Sequence, residues 1–278
     1  MSAYREHGNG GAARGDGLLY GLAFTLLVFL SLPFLGLVAT SSFRDFVAGL
    51  AHPLVWPALR LSIVTTTVSL AIVVVFGTPL AWLLARRRGR VARAIETAVQ
   101  LPVVIPPAVA GLALLLSFGR RGLVGTVLYP GDFSVAFTSA AVVIAQVFVS
   151  APFFVQAATS AFRRIDENLV LVARSFGASP LRLFFRLGLP LSAAGLVSGA
   201  AMSFARALGE FGATLMFAGN LTGKTQTLPL AIYTALESDV RAAQALSLVL
   251  VAVAFVLLVA VRASVDGAAP AASRGAPT

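Results

Sequence analysis

Arg206 and Glu210 stand four residues apart inside a long apolar run. At that spacing two side chains share one face of a helix and can pair. Charge inside an apolar span is costly and usually faces a protein interior or a cavity. The pair therefore reads in two ways. It belongs to a pathway or gate, with Gly212 and Thr214 beside it, or it is an ion pair that fixes helix packing. A second basic pair, Arg120 and Arg121, precedes Gly122. It either steers an oxyanion or meets acidic groups on a partner protein, or it anchors a helix end among lipid headgroups. The run Gly219 to Thr225 imitates a phosphate-binding loop, but three residues separate its glycines where the motif has four. It also follows an apolar span instead of a strand, so no nucleotide is expected there. There is no cysteine, and the histidines are His7 and His52 alone. Disulfides, iron–sulfur clusters and thiolate metal sites are excluded. Neither a metal centre nor a catalytic triad stands out, so no enzyme activity is expected of this chain.

The elements that carry these residues are set by hydropathy. Of 278 residues, 58% are hydrophobic and 12% charged, and the mean hydropathy is +0.90. That much apolar side chain cannot be hidden in one soluble core. The pattern predicts an all-α membrane protein with six transmembrane helices at roughly 18–40, 58–84, 97–118, 136–158, 191–215 and 241–262. The formal charge is +10. Its arginines sit between apolar runs, which is a topology signal and not a nucleic-acid footprint. Arg86, Arg87, Arg88, Arg90 and Arg93 follow the second span; Arg163, Arg164, Arg174, Arg182 and Arg186 follow the fourth. Both loops are then cytoplasmic, and so are both termini. Residues 1–17 and 263–278 are expected to be disordered tails around a membrane domain at 18–262. Pro102, Pro106 and Pro107 are expected to break up the start of the third span, and Gly195 and Gly199 form a small-residue pair suited to close helix packing.

The cytoplasmic stretch 163–190 predicts two short helices. Asp166 can cap the first, and Leu169, Val172, Ala173 and Phe176 share a face of it. Gly177 ends it, since glycine takes the left-handed conformation cheaply. Ser179 caps the second helix with Pro180 at its first position. Leu181, Phe184 and Phe185 make its apolar face, and Pro190 is expected to stop the segment before the fifth span. Such a pair either lies in the membrane interface or presents apolar knobs and arginines to a partner.

Leu171 to Pro190 resembles the EAA loop of ABC importer permeases. Ala173, Gly177, Leu187, Leu189 and Pro190 fall in the positions of that motif, whereas Leu171 stands in place of its Glu and Val172 in place of an Ala. The run from Ala205 to Tyr233, ARALGEFGATLMFAGNLTGKTQTLPLAIY, together with Leu101 to Gly125, resembles the molybdate-transporter permease family. The resemblance implies an anion-import pore subunit of a bacterial cytoplasmic membrane, working as a dimer with a second copy of itself. It implies that a cytosolic ATPase dimer docks through Ala173, Gly177, Arg182, Phe184, Phe185, Leu187, Leu189 and Pro190; Glu167, one helical turn before the missing Glu, is expected to replace it in part. It implies an extracytoplasmic binding protein that delivers molybdate, with tungstate or sulfate/thiosulfate as alternative cargo. ATP would be used by the partner ATPase, and the chain itself would bind no cofactor. An ion-gradient-driven anion transporter is the alternative from another class.

Overall fold

The computed structural model describes residues 9–128 and 134–268, and the described residues form helices and turns without a strand. In chain order the helices are α1 (Asn9–Ala39), α2 (Phe43–Leu50), α3 (Val55–Arg86), α4 (Arg90–Val104), α5 (Pro107–Phe118), α6 (Gly125–Leu128) and α7 (Ser139–Arg163). They continue with α8 (Glu167–Ser175), α9 (Pro180–Leu183), a π-helical turn (Phe184–Gly188), α10 (Leu189–Leu208), α11 (Gly212–Ala218), α12 (Leu228–Ser238) and α13 (Val240–Ala268). α1, α3, α7, the run from α9 through α10, and α13 are long and apolar enough to cross a bilayer. α1 begins at Asn9 and α13 runs to Ala268, so both helices reach into the stretches expected as tails; residues 1–8 and 269–278 lie outside the described residues.

The expected third span is not one helix. The chain bends by 114° between α4 and α5. The reason is local: Pro106 and Pro107 have no amide hydrogen, so two consecutive helical hydrogen bonds are missing. Ile105 and Pro106, each preceding a proline, are held extended at ψ 131° and 137°. The bent pair touches both ends of α7. Glu96 on α4 pairs with Arg163 at the end of α7, whereas Ala110 and Leu114 on α5 pack with Ala141 and Val142 at its beginning. Among the described residues five helices are long and apolar enough to cross a bilayer, and the bent pair makes a sixth crossing if it counts as one span.

The fifth span also departs from expectation. Pro190 does not stop the preceding segment. It sits in the first turn of α10, and the π-helical turn joins α9 to α10 without a break. At its other end the helix finishes at Leu208, not near 215, and the chain turns at Gly209–Phe211 into the short α11. α12 then packs its Leu228, Ala231 and Ala235 against Val55, Ala58 and Leu246, at the starts of α3 and α13. One end of the molecule thus gathers the starts of α3, α7 and α13. The opposite end gathers the close of α3 and α7 with α8 and α9.

Two seams hold the spans. Ser62, Thr66 and Ser69 recur along one face of α3 and are fully buried. Gln146 of α7 accepts from Ser69 Oγ at 3.0 Å and donates to Thr66 Oγ1 at 3.3 Å, and the Leu228 amide donates to Ser62 Oγ at 2.7 Å. Between helices in lipid such bonds contribute about 0.6 kcal/mol each on average. The second seam is of small residues. Gly195 lies against Ala161, and Gly199 would place a Cβ 2.8 Å from that of Ala157. Small residues four apart on both helices let α10 approach α7 closely, as the glycine spacing predicts.

Candidate functional site

At one end of the bundle the two short helices form as their capping signals require. Asp166 accepts the Asn168 amide at 2.9 Å, and Ser179 Oγ accepts the Arg182 amide at 3.3 Å. Gly177 turns the chain between them at φ +77°, and nothing lies within 4 Å of where its Cβ would be. The inward side of the pair is anchored by Val170, Ala173 and Leu183 in a cluster with Val155, Phe162 and Ile165. Opposite that anchor, Leu169, Val172 and Phe176 of α8 and Leu181 and Phe185 of the following segment are exposed, Phe176 at 85% and Leu181 at 70%. This is an apolar surface held on a rigid two-helix support.

The expected docking residues divide between that surface and its support. Arg182, Phe185 and Pro190 are exposed, whereas Ala173, Phe184, Leu187 and Leu189 are partly buried in the anchor. Phe184 is therefore not the free knob expected of it. Its ring lies 5.7 Å from Trp82 and 6.4 Å from Phe162, because the π-helical turn rotates it toward α3. Glu167 is exposed and accepts from Arg88 at 2.9 Å, so it is engaged within the chain. Leu171, at the family's Glu position, is exposed and apolar.

At the other end, Arg206 and Glu210 do pair, with Nη1 to Oε2 at 2.7 Å. Glu210 is 1% exposed and has a second duty: its Oε1 accepts the Ala213 amide at 2.8 Å. The carboxylate thus spans the break, tying the last turn of α10 to the first turn of α11. Gly212 would set a Cβ 2.6 Å from that of Pro107, and Gly111 returns the fit against Met216 and Ala213. Thr214 is fully buried, and its Oγ1 has no hydrogen-bond partner. Glu210 and Thr214 are buried, Arg206 is half-buried beside Glu210, and Gly212 packs on Pro107 of the α4–α5 elbow.

The Gly219–Thr225 run closes on itself. Gly219 and Gly223 both have φ +74°, Thr225 Oγ1 accepts the Leu221 amide at 2.9 Å, and the Lys224, Thr225 and Gln226 amides all donate to the Leu221 carbonyl. Asn220 and Gln226 both donate to Thr234 Oγ1 of α12. The Leu221, Lys224, Thr225 and Gln226 amides are thus spent on the turn itself. Arg120 and Arg121 lie exposed in the tight turn after α5, away from Arg206 in sequence and element. Among the described residues no group of His, Cys, Asp or Glu could hold a metal ion. Sequence reasoning missed the Ser62–Thr66–Ser69–Gln146 seam, although polar residues spaced by three and four along an apolar run signal it. It also missed Trp82, whose ring organises the support.

Residues 77–273 match the family described as the binding-protein-dependent transport system inner membrane component. The chain is 44% identical to a molybdenum transport system permease protein of Mycobacterium tuberculosis, over 85% of this chain and 90% of that one. It is 38% identical to a probable transport system permease protein of Clostridium pasteurianum, over 89% and 86%. With the molybdenum transport system permease protein of Escherichia coli K12 it shares 36% over 73% and 89%. In structure it is similar to a bacterial ABC transporter involved in the import of alginate, with a TM-score of 0.73 at 18% identity over 94% of this chain and 99% of that one. The methionine ABC transporter MetNI gives 0.64 at 20% identity, over 78% and 97%.

Proposed function

Because the chain belongs to the binding-protein-dependent transport system inner membrane component family, we propose that it is the pore-forming subunit of an ATP-driven importer that moves molybdate into the cytoplasm. Relatives named as molybdenum transport permeases, at 36–44% identity over most of the chain, support that cargo. Tungstate and sulfate are also tetrahedral dianions and are the competitors to test.

The observation that carries the mechanism is the exposed apolar surface on α8 and the segment after Ser179, fixed by Gly177 and anchored in the bundle. An apolar face with a rigid base is what a partner must grip if its motion is to reach the spans. The partner in this reading is a cytosolic ATPase dimer. ATP is bound and hydrolysed there. Closure of the two ATPase subunits would draw together the α8–α9 pairs of two permease copies. The rigid connection through the π-helical turn would pass that motion to α10. At the far end of α10 the Arg206–Glu210 clamp would transmit it to α11 and the elbow, which form the outer gate. Arg120 and Arg121 would face an external binding protein. A transient pathway does not need a tight oxyanion site, because deep binding would slow release; selectivity then rests with the binding protein.

The deciding experiment is uptake of labelled molybdate into proteoliposomes holding this chain, its ATPase and its binding protein. ATP-dependent uptake that survives excess sulfate is expected, and tungstate competition measures shared recognition. Uptake abolished by sulfate would keep the mechanism and move the cargo. Uptake that follows an ion gradient and ignores ATP would overturn the mechanism in favour of a secondary transporter.

A further inference from the structure

Where the last turns of α3 and α7 meet α8, a cavity of about 470 Å³ opens, lined by Arg86, Arg87, Arg88, Arg163 and Arg174 with Glu167 the single acidic residue among its walls. Arg88 pairs with Glu167, and Arg163 with Glu96 from α4. Among the described residues no ion pair reaches Arg86, Arg87 or Arg174. Arg86 is the most constrained of them. Its guanidinium stacks 4.5 Å over the Trp82 ring, and its Nε and Nη2 are buried without a hydrogen-bond partner. Two unpartnered donors of one planar fork, in a residue that lines a cationic cavity, match a tetrahedral oxyanion.

The same Trp82 forms a wall of a second feature. An apolar groove of about 800 Å³ runs along α3 and α10, past Val75, Pro79, Leu83, Phe185 and Leu196. Trp82 lines the groove, and Arg86 above it lines the cationic cavity. A guanidinium-lined cavity beside an apolar groove at the ends of two membrane spans is complementary to one amphiphile. We propose that the cavity seats the phosphate of an anionic phospholipid whose acyl chain lies in the groove, tying the end of α3 to α8.

The geometry of α8 favours lipid over a docked protein as the source of the anion. Glu167, Leu171 and Arg174 face the cavity, whereas Leu169, Val172 and Phe176 form the exposed apolar face. At about 3.6 residues per turn the two sets lie on opposite sides of the helix. A protein gripping the α8 face leaves the cavity open from the bilayer side, and Leu181 and Phe185, which the exposed surface shares with the groove, would lie between that partner and the acyl chain. A basic cluster beside a span end attracts anionic lipid, and cytoplasmic placement of this end rests on the orientation proposed above. The binding assay in micelles does not depend on that orientation, so the two ideas fail separately.

The test uses the purified full chain in phosphatidylcholine micelles titrated with labelled phosphatidylglycerol. Arg86→Gln/Arg174→Gln removes two cavity charges; Arg90→Gln/Arg93→Gln removes two exposed charges of α4 that do not line it. The first pair should weaken retention of phosphatidylglycerol about thirtyfold and the second should leave it nearly unchanged. Equal losses in both would mean diffuse attraction and would overturn the site. Displacement of the labelled lipid by millimolar inorganic phosphate would assign the cavity to a free oxyanion, and displacement by the ATPase subunit would assign it to a protein carboxylate; either overturns the lipid assignment. Should the cavity variant fail to fold, the wild-type chain still decides: it should unfold at higher temperature in phosphatidylglycerol than in phosphatidylcholine of the same chains, and equal midpoints would refute the proposal.

Discussion

Glu210 carries two bonds that a neutral or shorter side chain cannot both replace. Its carboxylate balances Arg206 and holds the Ala213 amide, and it is 1% exposed. Glu210→Ala strands a guanidinium and frees a buried amide. Breaking a buried pair from one side costs about 3–5 kcal/mol, and the 29% exposure of the Arg206 side chain puts this one near 3 kcal/mol. Glu210→Gln keeps an acceptor for Ala213 and should cost about 1–2 kcal/mol. Adding Arg206→Gln to it should recover part of that loss, since both charges are then gone. Equilibrium unfolding in micelles measures the cycle; strictly additive losses would show that the pair is not coupled. The pairing was legible in the spacing of Arg206 and Glu210. The link to Ala213 was not, because it exists only where the chain breaks at Gly209–Phe211, and the hydropathy of 191–215 runs through that break unchanged.

At the scale of elements, what was legible is what has a local cause. Asp166, Gly177, Ser179 and Pro180 are signals read within one turn of chain, and each sits in the structure where the sequence puts it. The end of α3 and the start of α7 were likewise set by apolar length. The α4–α5 elbow was half legible: the prolines announce a break, but its 114° angle depends on α11 packing against α5. The role of Pro190 was misread because a proline is tolerated in a first helical turn, and the π-helical turn that makes this its first turn follows from Phe184 finding Trp82. Gly188 allows that turn, since a Cβ there would come within 2.7 Å of the Trp82 ring. Gly177 offers a cleaner test, because its Cβ position is open and only its φ of +77° resists substitution. Left-handed backbone costs a branched residue about 1–2 kcal/mol and asparagine less. ATP-dependent uptake should therefore fall in the order Gly177, Gly177→Asn, Gly177→Ala, Gly177→Val, with the last down about tenfold and the melting of the spans little changed. Full uptake by Gly177→Val would show that the bend does not carry the coupling.

The whole molecule sets the arginine-lined cavity and the 219–227 turn at opposite ends. The arginines that follow α3 and α7 share one cavity, which places those two span ends on the same side. Ser139, at the start of α7, donates to the Lys224 carbonyl at 2.7 Å, which places the 219–227 turn at the other. This fixes the sides relative to each other, and the proposed orientation, taken from the positive-inside rule, makes the arginine end cytoplasmic. The absence of cysteine makes the choice directly measurable, because any introduced thiol is unique. Thr222 and Leu123 are exposed at one end, Ser175 and Val91 at the other. In intact spheroplasts a membrane-impermeant maleimide should label Thr222→Cys and Leu123→Cys, and should reach Ser175→Cys and Val91→Cys only after permeabilisation. The Leu123 and Val91 positions also bracket the α4–α5 pair, so they test whether the bent helices cross. Labelling of Leu123→Cys from the same side as Val91→Cys would make that pair re-entrant and leave five crossings. The inverse of the whole pattern would place the α8–α9 surface outside the cell, where no ATPase could reach it.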